Sequence, residues 1–384
     1  MNILVVAHYH YQGIGVPTAL FVHDQMRAFL RAGHRVRILV PTPMGKVGQD
    51  GKRFLPLLHT EVVDGIEHMF FRYPSFSRYG EKGGLNTRSA IWFLRRSLSA
   101  VLQDFEPDII HAHKLGTNTE LGSLLQRETG CPLVFTSHGE TGCEEPWMHD
   151  PAAIKRHADQ ADTVVCVSSA IKRCMDAAEV SPPHRVILNG FAVEHICDSA
   201  EKRPLSVVQV GHLTTQKRVS VTVEAFRRLR ERHPGAALTL VGEGPERTAL
   251  EQQCAAGGLG DAVRFTGQLP NSEALEELGR SRFFVMPSVH EGFGVVYLEA
   301  MASGCVTIGT EGEGIADLIV NGENGFLVPP DDPQAIAEVI EWCLQNPEAA
   351  GAIAAKGRRD ALELTWEKNA ANYTGLFQSL IEGK

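Results

Sequence analysis

The chain contains no Asp-x-Asp, no Cys-x-x-Cys and no apolar run of bilayer length. The first absence removes the usual acidic pair for a phosphate-bound cation, the second a zinc or redox motif, and the third a membrane span. Eight cysteines are scattered, several of them inside apolar strand patterns, as reduced core thiols are. The opening MNILVVAHYH lacks a basic leader and a small-residue cleavage site, so it reads as a buried first strand and the expected location is cytoplasmic. Hydrophobic content of 43% and charged content of 22% are those of an ordinary globular protein. A net charge of −9 offers no field for nucleic acid, and none is expected as a partner. All of that charge lies beyond residue 195, because residues 1–195 hold 20 Lys+Arg against 20 Asp+Glu. In this neutral half the basic pairs Arg95–Arg96, Lys155–Arg156 and Lys172–Arg173 fit either solvated helix faces or an anionic surface, so peripheral contact with the inner face of a plasma membrane stays open. Trp92 and Phe93 beside the first pair fit a membrane surface or, the commoner case, a helix core face.

A chain of 384 residues exceeds one usual core, and two domains are expected. Short Val/Ile/Leu strands alternate with amphipathic helical patterns twice over. The first series is Ile3–Ala7, Val36–Val40, Asp108–His111, Leu133–Thr136, Thr163–Val167 and Arg185–Leu188. The second is Ser206–Val210, Ala237–Val241, Ala262–Phe265, Phe283–Met286, Cys305–Ile308 and Phe326–Val328. Continuous apolar strands imply parallel sheets covered on both faces, hence an α/β protein of two Rossmann-like, doubly wound domains. Between the series the periodicity fails over Asn189–Pro204. The expected division is a first domain at 1–190, a linker at 191–204, a second domain at 205–365 and a last helix at 366–384. In open parallel sheets ligands bind beyond the carboxyl ends of the strands, which directs attention to the strand-end motifs and to a cleft between facing sheets.

The richest of these is PSVHEGFGVVYLEAMASG, Pro287 to Gly304. A strand, a glycine turn and a helical pattern put backbone N–H groups where anionic or hydroxyl-rich ligands can meet them, and Glu291 and Glu299 add acceptors for hydroxyl protons. Such a set suits a polyol carrying phosphate, such as a nucleotide sugar. On residue type alone the pair also fits a solvated loop glutamate and a helix-start glutamate favoured by the dipole.

Around this run stand VGHLTTQKR (210–218), LVGEGPER (240–247), VRFTGQLP (263–270) and NGENGFLVPPDDP (321–333), with HYHYQGIGVPT (8–18), DIIHAH (108–113), VFTSHG (134–139) and VILNGF (186–191) in the first half. In this order they resemble retaining glycosyltransferases of the GT-B fold, family four, over nearly the whole chain. The resemblance implies that Glu299 holds the nucleotide ribose, and that Glu291, with the amides near Phe293 and Gly294, holds donor-sugar hydroxyls. It also implies that Lys217 meets the diphosphate, that Gly211, Gly242 and Gly267 line the nucleotide site, that the first domain is the acceptor side and the second the donor side, and that the helix at 366–384 returns to the first domain. Many relatives carry Gly-Arg-Leu where this chain has Gly211-His212-Leu213. His212 supplies no fixed charge, and Arg218 is then a second phosphate contact or merely exposed. Asp317 stands where a glutamate is commoner.

His138, ending a strand before Gly139, resembles the family's histidine near the donor C6 hydroxyl and the reacting centre; a buried histidine that satisfies a carbonyl is the alternative. The Gly13-Ile14-Gly15 turn resembles the one that admits the diphosphate, or is simply a tight turn. His111 and His113 are expected on opposite faces of their strand and make no metal site. The implied catalytic set is His138, Lys217 and Glu291 in a metal-independent hexosyltransferase with no cofactor. It uses a nucleoside diphosphate sugar, most commonly UDP in the family, and a saccharide, lipid-linked or small-molecule acceptor. The pattern from Gly13 to Pro41 is similar to cell-envelope polysaccharide enzymes, including teichuronic-acid-type transferases. A glycosidase using the two glutamates, a nucleotide-sugar epimerase and a non-catalytic nucleotide-sugar-binding protein are the competing readings.

Overall fold

The computed structural model describes residues 1–8, 20–44, 57–75, 84–139, 150–196 and 202–383. Two compact units emerge, Met1–Gly190 with Trp366–Lys384, and Phe191–Thr365. The first unit runs β1 (Asn2–Val6), α1 (Leu20–Arg31), β2 (Arg35–Pro43), β3 (Leu58–Val63), β4 (Ile66–Tyr73), α2 (Leu85–Val101) and β5 (Ile109–His113). It continues through α3 (Thr117–Thr129), β6 (Leu133–Ser137), α4 (Pro151–Ala158), β7 (Thr163–Cys166), α5 (Ser169–Ala177) and β8 (His184–Val186). Its sheet has the order β3-β4-β2-β1-β5-β6-β7-β8. Every residue of β5 and β6 is buried, as strands covered by helices on both faces must be. Asp150 and Ser168 cap α4 and α5 by accepting the amides of Ala152 (2.9 Å) and Ile171 (3.3 Å).

The β3–β4 hairpin is absent from the expected strands. It makes the sheet mixed at one edge, because β3 runs antiparallel to β4. As an edge strand half open to water, β3 has no continuous apolar run to betray it. Its turn carried the usable signal: Asp64 and Gly65 at φ 50° and 79° form the two-residue Asp-Gly link that hairpins favour. A second correction concerns Trp92, which is 49% exposed rather than in the helix core, while Phe93 is half-buried.

The second unit runs β9 (Arg203–Val210), α6 (Val219–Arg232), β10 (Ala237–Val241), α7 (Arg247–Ala256), β11 (Val263–Gly267), α8 (Asn271–Arg280) and β12 (Ser281–Val285). Then come α9 (Val295–Ala302), β13 (Val306–Thr310), β14 (Phe326–Val328), α10 (Pro333–Gln345) and α11 (Pro347–Leu362). Its six strands, ordered β11-β10-β9-β12-β13-β14, are all parallel. Strand β9 begins at Arg203, inside the segment expected as linker, and buried Phe191 bridges to Thr365. Among the described residues no helix is long and apolar enough to cross a membrane.

The last helix, α12 (Trp366–Glu382), belongs to the first unit. Trp366, Tyr373 and Phe377 join Phe29 in that unit's core. Gln25 donates to Asn369 Oδ1 (2.7 Å) in the buried seam, and Asn369 donates to Leu188 O (2.7 Å). The exposed Arg31–Glu367 pair adds little beside this burial. Phe377→Ala should therefore destabilise the first unit by about 3–5 kcal/mol, read as a lower denaturant midpoint for its transition. An unchanged midpoint would show that α12 is dispensable to this core.

Candidate functional site

Sheet order decides where a site can form. In the second unit the chain moves outward from β9 through β10 and β11 on one side, and through β12, β13 and β14 on the other. Strands β9 and β12 therefore flank the switch point at which open α/β sheets leave a crevice beyond the strand ends. The segment after β9 carries Gly211, His212, Lys217 and Arg218; the segment after β12 carries Glu291 to Gly294. Gly242 and Gly267 end the neighbouring β10 and β11.

The backbones at these ends lie flush. Gly211 N–H donates to Val241 O and Gly242 N–H to Gly267 O, both at 2.9 Å. A Cβ on Gly242 would sit 2.0 Å from Gly211 O, so only glycine permits the approach. Next to them the loop 291–294 is pinned from behind. Glu291 N–H donates to Glu313 Oε2 (2.8 Å) and Gly314 N–H to Glu291 O (3.3 Å). A Cβ on Gly314 would lie 2.0 Å from Gly292 O. Gln216 links the Lys217 segment to the same loop, donating to His290 O (2.9 Å) and accepting from Val289 N–H (3.0 Å).

On this frame Lys217 Nζ forms an ion pair with Glu291 Oε2. The two side chains are 19% and 12% exposed, enough for one edge to meet a ligand. Gln209 Nε2 donates to Lys217 O (2.8 Å) and holds the lysine backbone. Phe293 is buried, so it offers backbone rather than ring, and Gly294 precedes α9 at φ 77°. Glu299 is half-buried on α9. Arg218 turns to Asp331 Oδ1 (2.7 Å) and Thr215 O (2.6 Å), and His212 is exposed. Burial first, then the Glu291 and Glu313 carboxylates, push the Tyr297 hydroxyl above its ordinary range; it stays protonated and donates to Met286 O. Sequence reasoning missed Glu313, Gly314 and Asp331. The TEGEG stretch at 310–314 was visible, but its approach to Glu291 was not.

In the first unit the corresponding switch point lies between β1 and β5. Three histidines gather on β5 and beyond β6. His138 Nε2 lies 2.9 Å from His113 Nδ1, and the Phe21 ring packs on His138 at 4.6 Å. Asn118 donates to His113 O (2.6 Å), and its Oδ1 meets His8 Nδ1 (2.9 Å). His111 Nε2 meets Thr136 Oγ1 (2.8 Å), which meets Tyr373 OH (3.0 Å). The His111 and His113 rings lie 4.1 Å apart on one face, not on opposite faces. A strand alternates with period two, so residues two apart must share a face, and the expectation misapplied that period. His113 was passed over as a partner of His138; the parallel pairing of β5 with β6 brings them together. Burial lowers all three pKa values. His113 falls to about 3, with Lys114 adding to it, and His111 and His138 go well below the usual range with neighbouring histidines contributing. At neutral pH the cluster carries no charge. Gly15 lies outside the described residues.

Two family profiles match the chain: Glycosyltransferase Family 4 over residues 18–195 and Glycosyl transferases group 1 over residues 198–360. The chain is 29% identical over 297 residues to a glycogen synthase of Mycobacterium tuberculosis, covering 73% of this chain and 71% of that protein. It is 28% identical over 289 residues to a GDP-mannose-dependent phosphatidylinositol monomannoside mannosyltransferase of Mycolicibacterium smegmatis, covering 69% and 74%. The fold matches a sucrose-phosphate synthase of Thermosynechococcus elongatus at TM-score 0.80, with 20% identity and all of both chains covered. It also matches the Anabaena protein HepE in complex with UDP-glucose at TM-score 0.74, with 19% identity, 99% of this chain and all of that one. The chain belongs to the GT-B glycosyltransferases of family four. This transferase thus carries a paired ammonium and carboxylate over a glycine floor in one unit, and a neutral histidine cluster in the other.

Two outcomes test these arrangements. Gly314→Ala should cost the second unit about 1–3 kcal/mol, because the added methyl must displace the Gly292 carbonyl; denaturant unfolding reads it. An unfolded histidine titrates near pH 6.5 and His113 near 3, so between those values the unfolded chain binds a proton that the fold refuses. Stability of the first unit should be full above about pH 6.5 and fall below it by about 1.4 kcal/mol per pH unit for each such histidine. Unfolding curves with no slope in that window would contradict the neutral cluster.

Proposed function

We propose that this transferase moves a hexose-type sugar from a nucleoside diphosphate donor, UDP in the first instance, to an acceptor hydroxyl with retention of anomeric configuration. The observation that carries the reading is the Lys217–Glu291 pair at the switch point. An ammonium has three N–H donors, so one can face Glu291 while two face diphosphate oxygens. The other oxygen of Glu291 and the amides near Phe293 and Gly294 then take hydroxyls of the donor sugar, and Glu299 takes those of the ribose. Gly211, Gly242 and Gly267 leave a floor without side chains for the nucleotide. With His212 exposed and Arg218 engaged by Asp331, Lys217 carries most of the diphosphate charge together with the start of α9. No metal or cofactor is required in this scheme.

In the reaction the C1–O bond to the diphosphate breaks while the acceptor oxygen bonds to C1 from the same face. The acceptor proton passes to the departing phosphate oxygen. Lys217 stabilises the charge that develops there, and this is worth most in a site from which water is excluded. His138 is neutral, so its contribution is a hydrogen bond that orients a sugar hydroxyl rather than a charge. The M. smegmatis relative is named for a lipid acceptor, which supports a lipid-linked acceptor here; we extend this to a cytoplasmic enzyme acting on cell-envelope saccharides, such as those of the teichuronic-acid type. The relative's GDP-mannose donor makes the nucleotide the first thing to test.

A screen of UDP- and GDP-sugars for thermal stabilisation reads donor binding directly, since a ligand at a hundred times its Kd adds about 2.7 kcal/mol to the folded state. Stabilisation by no nucleotide sugar would sink the reading. Glu299→Ala should weaken bare nucleotide binding about tenfold or more, the value of one charge-assisted hydrogen bond. Glu291→Gln should leave bare nucleotide affinity near its original value and lower turnover and sugar discrimination. Equal losses of nucleotide affinity in both variants would contradict the division of labour.

A further inference from the structure

Helix α2 is polar in an unusual way: its seventeen residues, LNTRSAIWFLRRSLSAV, include three arginines and no acid. One face, with Asn86, Thr87, Ala90, Leu94 and Val101, is buried in the first unit. The opposite face exposes Leu85 (50%), Arg88, Trp92 (49%), Arg95 and Arg96 at helical spacing. The Arg96 guanidinium stacks on the Trp92 ring at 3.4 Å, and the Phe93 ring meets its edge at 4.6 Å. Among the described residues no carboxylate pairs with Arg88, Arg95 or Arg96. The acids of neighbouring elements are occupied elsewhere: Glu120 of α3 with His157 and Gln160, and Glu67 of β4 with Arg37. Asp104, Glu106 and Asp108 follow the end of the helix, and Asp108 accepts the Asn2 amide at 2.7 Å.

We propose that this outer face of α2 docks the protein on an anionic lipid bilayer, with Trp92 at headgroup depth and Arg88, Arg95 and Arg96 against lipid phosphates. An indole half in water can bury its ring and keep its N–H solvated at such an interface, where tryptophan is enriched. Arginine stems lie along apolar surface while their heads stay hydrated, so docking does not strip three unpaired charges of water as a dry protein interface would. Charge complementarity selects anionic lipid, and the attraction is worth about fivefold in affinity per arginine. The inference is independent of the donor-site reading, since none of these residues belongs to it.

Co-sedimentation of the full chain with vesicles tests it. Binding is expected to phosphatidylcholine vesicles containing about one-third phosphatidylglycerol, to weaken with salt, and to be absent with phosphatidylcholine alone. Arg95→Gln/Arg96→Gln should weaken binding about twenty-five-fold, by the same per-residue scale. Lys172→Gln/Arg173→Gln on α5, which removes equal charge elsewhere, should leave it unchanged. Lipids brominated in their tails should quench tryptophan emission of the original chain, and Trp92→Phe should abolish that quenching. Equal binding to neutral vesicles, equal loss in the α5 variant, or quenching that survives Trp92→Phe would each overturn the proposal. So would binding of soluble polyphosphate as tight as that of vesicles with no quenching at all. Thermal midpoints of the variants, which alter exposed positions, confirm that folding is intact.

Discussion

Lys217 and Glu291 stand 74 positions apart and meet as a partly buried ion pair because β9 and β12 are neighbours in the sheet, although two strands and three α-helices separate them in the chain. A carboxylate or an ammonium withdrawn from water alone is costly, and each offsets that cost for the other. The geometry of the pair in turn depends on a backbone contact. The loop 291–294 can lie where it does because Gly314 has no Cβ and because the Glu313 carboxylate holds the Glu291 amide. Exchange either feature and the carboxylate that faces Lys217 loses its support.

The rest of the second unit is organised to keep that contact in place. Its parallel strands end together, so the segments that leave them are crowded, and Gly242 relieves the crowding where its backbone meets that of Gly211. The same crowding makes the site: where side chains would collide, backbone amides and a few long polar side chains are left to face a ligand. Chemistry and packing are here two consequences of one topology.

The first unit solves a different problem. Its core is closed by a helix from the far end of the chain, and the buried Gln25–Asn369 and Asn369–Leu188 hydrogen bonds fix that helix more specifically than apolar contact would. Beside them the histidine cluster keeps its rings neutral through burial, which suits groups that orient a hydroxyl and does not suit an acid. A residue type that titrates near neutrality in water has become, in this setting, a fixed hydrogen-bonding partner.

Much of the fold was legible because a parallel strand buried on both faces is a continuous apolar run: β10 and β14 were delimited to the residue, and β12 nearly so. Lys217, Glu291 and His138 were candidates through the strand-end motifs that carry the family resemblance. The β3–β4 edge hairpin escaped because an edge strand need not be apolar, and its Asp64-Gly65 turn is a short signal in a long chain. Local sequence thus determined which segments are strands and which residue types stand at their ends. Only the tertiary structure decided that Lys217 faces Glu291, that His113 meets His138, that Glu313 braces the loop and that Trp92 points outward. Periodicity records which side chains avoid water along one element, whereas contacts between elements depend on strand order, and strand order is a property of the whole chain path.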